Sequence, residues 1–264
     1  MNMPYSTRSG VKIYYEVVGE GPPMILVHAN AFDHRLWLYQ TARFSEHFRV
    51  VSMDLRGYGR SDKPTNPFSL GDMAADVTGV CANEGIEEAI FFGVSTGAGI
   101  CLLIGQSQPA IVRGLVLVGG SSRGPSSMNN RIKGFLSGEI RAYHEQYLKE
   151  CVTDDFAAST QGAWILSLFS QSSHHLVGAS IAQIFRARMA CDLTKDLQKI
   201  RTPTLVVNGE MDISLAAGRE TAAGIAGAKH VIIPGSGHVC NIEKPAEFNC
   251  AVDDFLVKNR IYYA

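Results

Sequence analysis

The chain has 264 residues, 46% of them hydrophobic and 19% charged, with a formal net charge of −1. That length suits one large domain, or one domain carrying an insertion. The near-neutral balance, with Lys and Arg scattered, gives no electrostatic footing for nucleic acid or an anionic membrane.

No stretch approaches a membrane-spanning helix, and the opening MNMPYSTRSG lacks the apolar core of a signal peptide. The six cysteines, Cys81, Cys101, Cys151, Cys191, Cys240 and Cys250, are widely spaced and form no C-x-x-C pair. They carry no metal or redox signature and read as free thiols of a reducing, cytoplasmic compartment.

In chain order, VKIYYEVVG alternates like an early strand. PPMILVHA is a short apolar run ending at His28, and FRVVSMDLRG repeats that form up to Asp54. AIFFGV, GLVLVGG, PTLVVNGE and KHVIIPG follow, rich in Val, Ile and Leu and bounded by Gly or Pro. Continuous runs of this kind are expected of strands buried on both faces of a parallel sheet. Between them, SLGDMAADVTGVCANEG has Ser69 and Asp72 in capping-box spacing and Gly85 placed to stop the helix. GICLLIGQSQ and PAEFNCAVDDFLVKN also carry helical spacing. The alternation predicts an α/β protein with a doubly wound, mostly parallel sheet.

One region breaks it. Residues 121–199 hold helix-like runs and no strand-like one, which predicts a helical cap inserted between two strands of a core formed by 1–120 and 200–264. Such a cap would sit over the carboxyl ends of the strands, where open α/β sheets bind ligands.

Gly93-Val94-Ser95-Thr96-Gly97 fits G-x-S-x-G between a strand and a helix. Glycine at both flanks permits the sharp turn that would expose a serine nucleophile. Its base is expected at His238, on the Gly-rich loop after the last strand. The acid is expected at Asp212, just beyond PTLVV, with Glu210 as the nearby competitor. Oxyanion donors are expected from the N–H of Thr96 and of Asn30, with Ala29 as the alternative to Asn30. DLRGYGRSD reads as an internally hydrogen-bonded turn, His28 as a loop brace, and His174-His175 as a solvated pair. The insertion's aromatic and long apolar side chains predict an apolar cleft with few polar groups. Phe32, Trp164 and Val239 are expected to touch substrate.

Taken together in order, VHANAFDHRLW, DLRGYGRSDKP, GVSTGAG, DLQKIRTPTLVVNGEMD and PGSGHVCNIEKPAEFN resemble the α/β-hydrolase superfamily over nearly the whole chain. The form is similar to its small, capped, cofactor-free branch of enol-lactone hydrolases, carboxylesterases, ring-cleavage-product hydrolases and perhydrolases. The resemblance implies Ser95 as nucleophile, Asp212 as acid, His238 as base, and Asn30 and Thr96 as oxyanion donors. It also implies no cofactor and no metal. The expected activity is a serine hydrolase acting on a small, largely apolar or aromatic ester or lactone through an acyl-enzyme. Hydrolysis of carbon–carbon bonds, perhydrolysis, or a small-molecule receptor with slow turnover are the alternatives. A small-molecule substrate is the expected partner, and the sequence leaves the oligomeric state open.

Overall fold

The computed structural model describes residues 4–125 and 127–261. Eight strands form one sheet: β1 (Tyr5–Arg8), β2 (Val11–Val18), β3 (Pro23–Val27), β4 (Arg49–Met53), β5 (Ala89–Val94), β6 (Val112–Val118), β7 (Thr204–Gly209) and β8 (Lys229–Ile233). Their order is β1-β2-β4-β3-β5-β6-β7-β8. β1 and β2 pair antiparallel, as do β2 and β4; every pairing from β4 to β8 is parallel.

The apolar runs are continuous because both faces of the sheet are covered. Ile25, Val27, Phe91, Leu115, Leu117 and Val206 pack into one core. Their neighbours Met24, Leu26, Phe92, Val116, Leu205 and Val207 pack into the core on the other face. Strand residues alternate faces, so burying both requires apolar side chains at every position. β8 departs from this pattern, being only partly buried, because it forms the sheet edge.

Helices Leu70–Asn83 and Thr96–Ser107 cover the first face, and helices Leu38–Phe44 and Pro245–Lys258 the second. The capping box at the first of these is formed: the Ser69 hydroxyl accepts from the Asp72 N–H, and the Asp72 carboxylate from the Ser69 N–H. Gly85 takes a φ of +65° just past its end. All six cysteines are free thiols. Among the described residues, no helix is long and apolar enough to cross a membrane.

Between β6 and β7, the described residues form helices Met128–Phe135, Ile140–Glu150, Asp154–Ala158, Thr160–Ser170 and Gly178–Met189, with two 3-10 turns. An isolated antiparallel bridge between Arg123 and Asp192 joins the two ends of this stretch.

Candidate active site

β3 lies between β4 and β5, so the chain winds outward from it in both directions. A ligand crevice is expected beyond the carboxyl ends of strands at such a reversal. The loop after β3 carries Asn30, and the turn after β5 carries Ser95.

Ser95 takes φ 54° and ψ −109°, an unfavourable conformation for a residue with a Cβ. Its N–H donates to the Val118 carbonyl over 2.8 Å, and its carbonyl accepts from Gly99 at 3.1 Å, anchoring the turn on both sides. A Cβ at Gly97 would lie 2.2 Å from the Val27 carbonyl oxygen, and one at Gly93 would lie 2.3 Å from the Gly97 backbone. The two glycines therefore let β5, the helix start and β3 approach backbone to backbone.

Beyond β7, the Asp212 carboxylate sits 2.8 Å from His238 Nδ1. It also accepts from the Ser214 N–H and from Asn208 Nδ2, each at 2.8 Å. Burial alone would raise its pKa, but His238 and these donors outweigh that and hold it below the ordinary 3.8. Glu210 is directed elsewhere and accepts from the Gly235 N–H at 3.0 Å. Ser95 and His238 line one cavity of about 890 Å³.

The Asn30 side chain donates to the Thr96 hydroxyl over 2.8 Å, and both residues are buried. This bond joins the loop after β3 to the first turn of the helix after β5. Thr96 opens that helix, where backbone N–H groups have no intrahelical partner. The next residue, Ala31, has a φ of 71°; Ala29 is not among the residues with positive φ. Tyr58 Oη accepts from the Ala31 N–H at 3.1 Å, and His144 Nε2 donates to the Ala31 carbonyl at 2.7 Å.

The three side chains expected to touch substrate do not line this cavity. Trp164 is 57% exposed, because its helix buries the stripe Gly162, Ile165, Leu166 and Phe169 instead. Phe32 is buried with its ring edge-on to Phe169, centroids 4.9 Å apart. Val239 is wholly buried in the second core. The insertion's contribution comes instead from Met128, Tyr143, Tyr147 and Phe185. The expected cleft with few polar groups is corrected in part: its wall is more apolar than polar, but Arg123, Arg131, Arg188, Glu150 and Glu220 share it. Helical periodicity finds buried faces, but it does not say which buried face meets a cavity.

His28 is a brace. Its Nε2 accepts from the Leu55 N–H at 2.8 Å, which leaves Nδ1–H to donate to the Ala29 carbonyl at 2.7 Å. Burial lowers its pKa, so it is a neutral imidazole. In DLRGYGRSD the buried Asp54 carboxylate accepts from the Arg60 N–H, and Arg56 forms a two-pronged pair with Asp76 at 2.6 and 2.7 Å. The His174 and His175 rings lie against each other on the surface, centroids 3.8 Å apart. Among the described residues, ligating atoms of Asp33, His34 and Asp54 gather within 4.8 Å. Arg35 already answers Asp33, and His34 answers Asp54 at 2.7 Å, so internal ion pairs account for the cluster.

Strand order, right through to the turn that carries a serine after a central strand, is that of the α/β-hydrolase fold. The chain belongs to the alpha/beta hydrolase family, whose model matches residues 24–251. It is 29% identical to a putative carbamate hydrolase RutD of Caulobacter sp. (strain K31), covering 92% of this chain and 95% of the relative. It is 25% identical to 3-oxoadipate enol-lactonase 1 of Acinetobacter baylyi, covering 92% of each. The crystal structure of the enol-lactonase from Burkholderia xenovorans LB400 superposes with a TM-score of 0.90 at 28% identity, covering 96% of this chain and 100% of that one.

Proposed function

We propose that this protein is a serine hydrolase of small carboxylic esters or lactones, with Ser95 as nucleophile, His238 as base and Asp212 as the acid that orients it. The observation that carries this reading is the Asp212–His238 contact of 2.8 Å beside a cavity whose wall includes Ser95. A buried, ionised Asp212 fixes the proton of His238 on Nδ1 and leaves Nε2 free to act as a base. The enol-lactonase relatives point in the same direction.

In the first half-reaction His238 Nε2 takes the Ser95 proton as Oγ bonds to the substrate carbonyl carbon. The negative charge that appears on the carbonyl oxygen meets the N–H groups of Asn30 and Thr96, with the N-terminal end of the helix after β5 behind them. The ester C–O bond then breaks, and its oxygen leaves with the proton from His238. In a lactone the leaving oxygen stays attached to the acyl chain. Water next gives a proton to His238 and its oxygen to the acyl carbon. Ser95 departs with that proton, and the carboxylic acid is released. The Asn30–Thr96 side-chain bond holds the two donor positions at a fixed separation before substrate arrives.

A fluorophosphonate probe tests this directly. The expected adduct is on Ser95, found by peptide mass spectrometry, with turnover of an ester and lactone panel lost in proportion. Labelling elsewhere, or hydrolysis that survives complete Ser95 modification, would overturn the assignment.

A further inference from the structure

Three arginines share the wall of the cavity that holds Ser95 and His238, and their partners differ. Arg131 lies 4.0 Å over the Tyr147 ring and is paired with Glu150. Arg123 faces Glu220 at 3.7 Å. Arg188, only 1% exposed, meets neutral oxygens: the Ser121 carbonyl, the Ser121 hydroxyl at 3.2 Å and the Cys191 carbonyl at 3.4 Å. Asp192, nearby in sequence, is exposed and turned toward the Thr194 N–H at 2.9 Å. A guanidinium this deep without a carboxylate is costly, because carbonyl dipoles replace only part of its hydration. Burial lowers its pKa to about 10, which still leaves it charged at neutral pH.

Its place in the fold connects it to the chemistry. A Cβ built on Gly99 would lie 2.8 Å from Arg188 Nε and 3.2 Å from Cζ, so the guanidinium occupies the space that a side chain there would fill. Gly99 lies four residues after Ser95 on the same helix, a separation of about one turn, or ~5.4 Å along the axis. The buried cation lies against Gly99, about one helical turn past Ser95, and both Arg188 and Ser95 line the one cavity.

We propose that Arg188 binds a free carboxylate on the substrate, so that the preferred substrates are esters or lactones that also carry a carboxylate. This rests on the hydrolase reading above and narrows its substrate class. A carboxylate would accept charge-assisted hydrogen bonds from the N–H groups that Ser121 and Cys191 leave free, and it supplies in direct contact the counter-charge that Asp192 gives only from a distance. A molecule anchored there and attacked at Ser95 has its carbonyl and its anion separated by a few bonds.

The test compares 4-nitrophenyl butyrate with mono-4-nitrophenyl glutarate on the full chain. The glutarate ester is expected to have a kcat/KM at least ~10-fold higher, the scale of one hydrogen bond to a charged group. Arg188→Gln should erase that preference, mostly through KM, and Arg188→Lys should restore part of it. Equal kcat/KM for the two esters in the wild-type enzyme would overturn the proposal without any variant. So would Arg188→Gln slowing both esters by one factor, which marks a brace for the Ser121 loop. Calorimetric binding of glutarate to Ser95→Ala gives a readout free of turnover. Binding there that Arg188→Gln abolishes, with neither ester hydrolysed by the wild type, would keep the anion site and remove the hydrolase.

Discussion

The Nε2–H of His144 donates to the carbonyl of Ala31 over 2.7 Å, tying a helix of the insertion to the loop after β3. Ala31 is held at its N–H by Tyr58 as well, so a residue at φ 71° is clamped from both sides. His144→Leu leaves a buried carbonyl without a donor, a loss of about 1–3 kcal/mol. Because Asn30 precedes Ala31, we expect the loss to appear in kcat, by about tenfold, more than in KM. His144→Gln, whose amide can reach the same carbonyl, should recover most of it. Unchanged steady-state kinetics in the Leu variant would show that the loop keeps its shape without this bond.

Ser95 carries backbone strain that a glycine would not. Ser95→Ala and Ser95→Gly should both lose turnover, but the Gly variant should melt higher. Strain of about 1–3 kcal/mol is relieved against an unfolded-state entropy cost of about 0.5–1 kcal/mol. Thermal unfolding of the two variants side by side measures the difference, and a lower midpoint for Ser95→Gly would show that the turn is not strained.

Asp212→Asn removes the charge while keeping the shape. The amide cannot serve all the donors that the carboxylate now accepts from, and it leaves His238 free to adopt the other tautomer. We expect kcat to fall on the order of 10⁴-fold with the circular dichroism spectrum retained. Glu210→Gln, on the same loop but bonded to Gly235, should stay within about twofold of wild type. A reversal of these two results would move the acid to Glu210.

Acid should loosen the fold through two buried histidines. His28 and His144 both have pKa values lowered by burial from 6.5, so the unfolded chain takes up their protons first. Their contribution is fully present above about pH 6.5 and is lost as pH falls from there through the folded values. His34 runs the other way. Burial opposes its charge, but the Asp54 carboxylate raises its pKa above 6.5, so its share is lost as pH rises through the folded value. His230, partly buried and beside Arg219, has its pKa lowered as well. With three groups against one, urea midpoints should fall between pH 7.5 and pH 5, each histidine adding a slope of up to ~1.4 kcal/mol per pH unit. A midpoint that rises on acidification would show that His34 outweighs the other three.

The seven runs read as strands from the sequence are strands β2 to β8; in β3 to β7 burial on both faces leaves a continuous apolar signal that neighbours cannot disguise. β1 gives no such signal: Tyr5–Arg8 is short, mostly exposed and stabilised by pairing with β2, which no local pattern announces. The Asp212–His238 pair was legible since both residues follow strand ends. Pocket walls were not, because a buried helix stripe looks alike against a core or a cavity. One trace was available. Ile181, Ile184, Phe185 and Arg188 share helical spacing, and a cation in an apolar stripe marks a buried charge that needs a reason. His144 sits in a similar stripe with Leu148 and Cys151.

The bridge between Arg123 and Asp192 brings the exit and the return of the insertion to one doorway. A segment that enters and leaves at a single point behaves as a cassette. Its helices still share both cores with the sheet, Phe135, Ile181, Ile184 and Phe185 on one face and Leu148, Ile165 and Phe169 on the other, so its loops have more freedom to change than its buried helix faces. Changes in what reaches the serine can then accumulate in those loops, while the buried helix faces stay tied to the scaffold beneath.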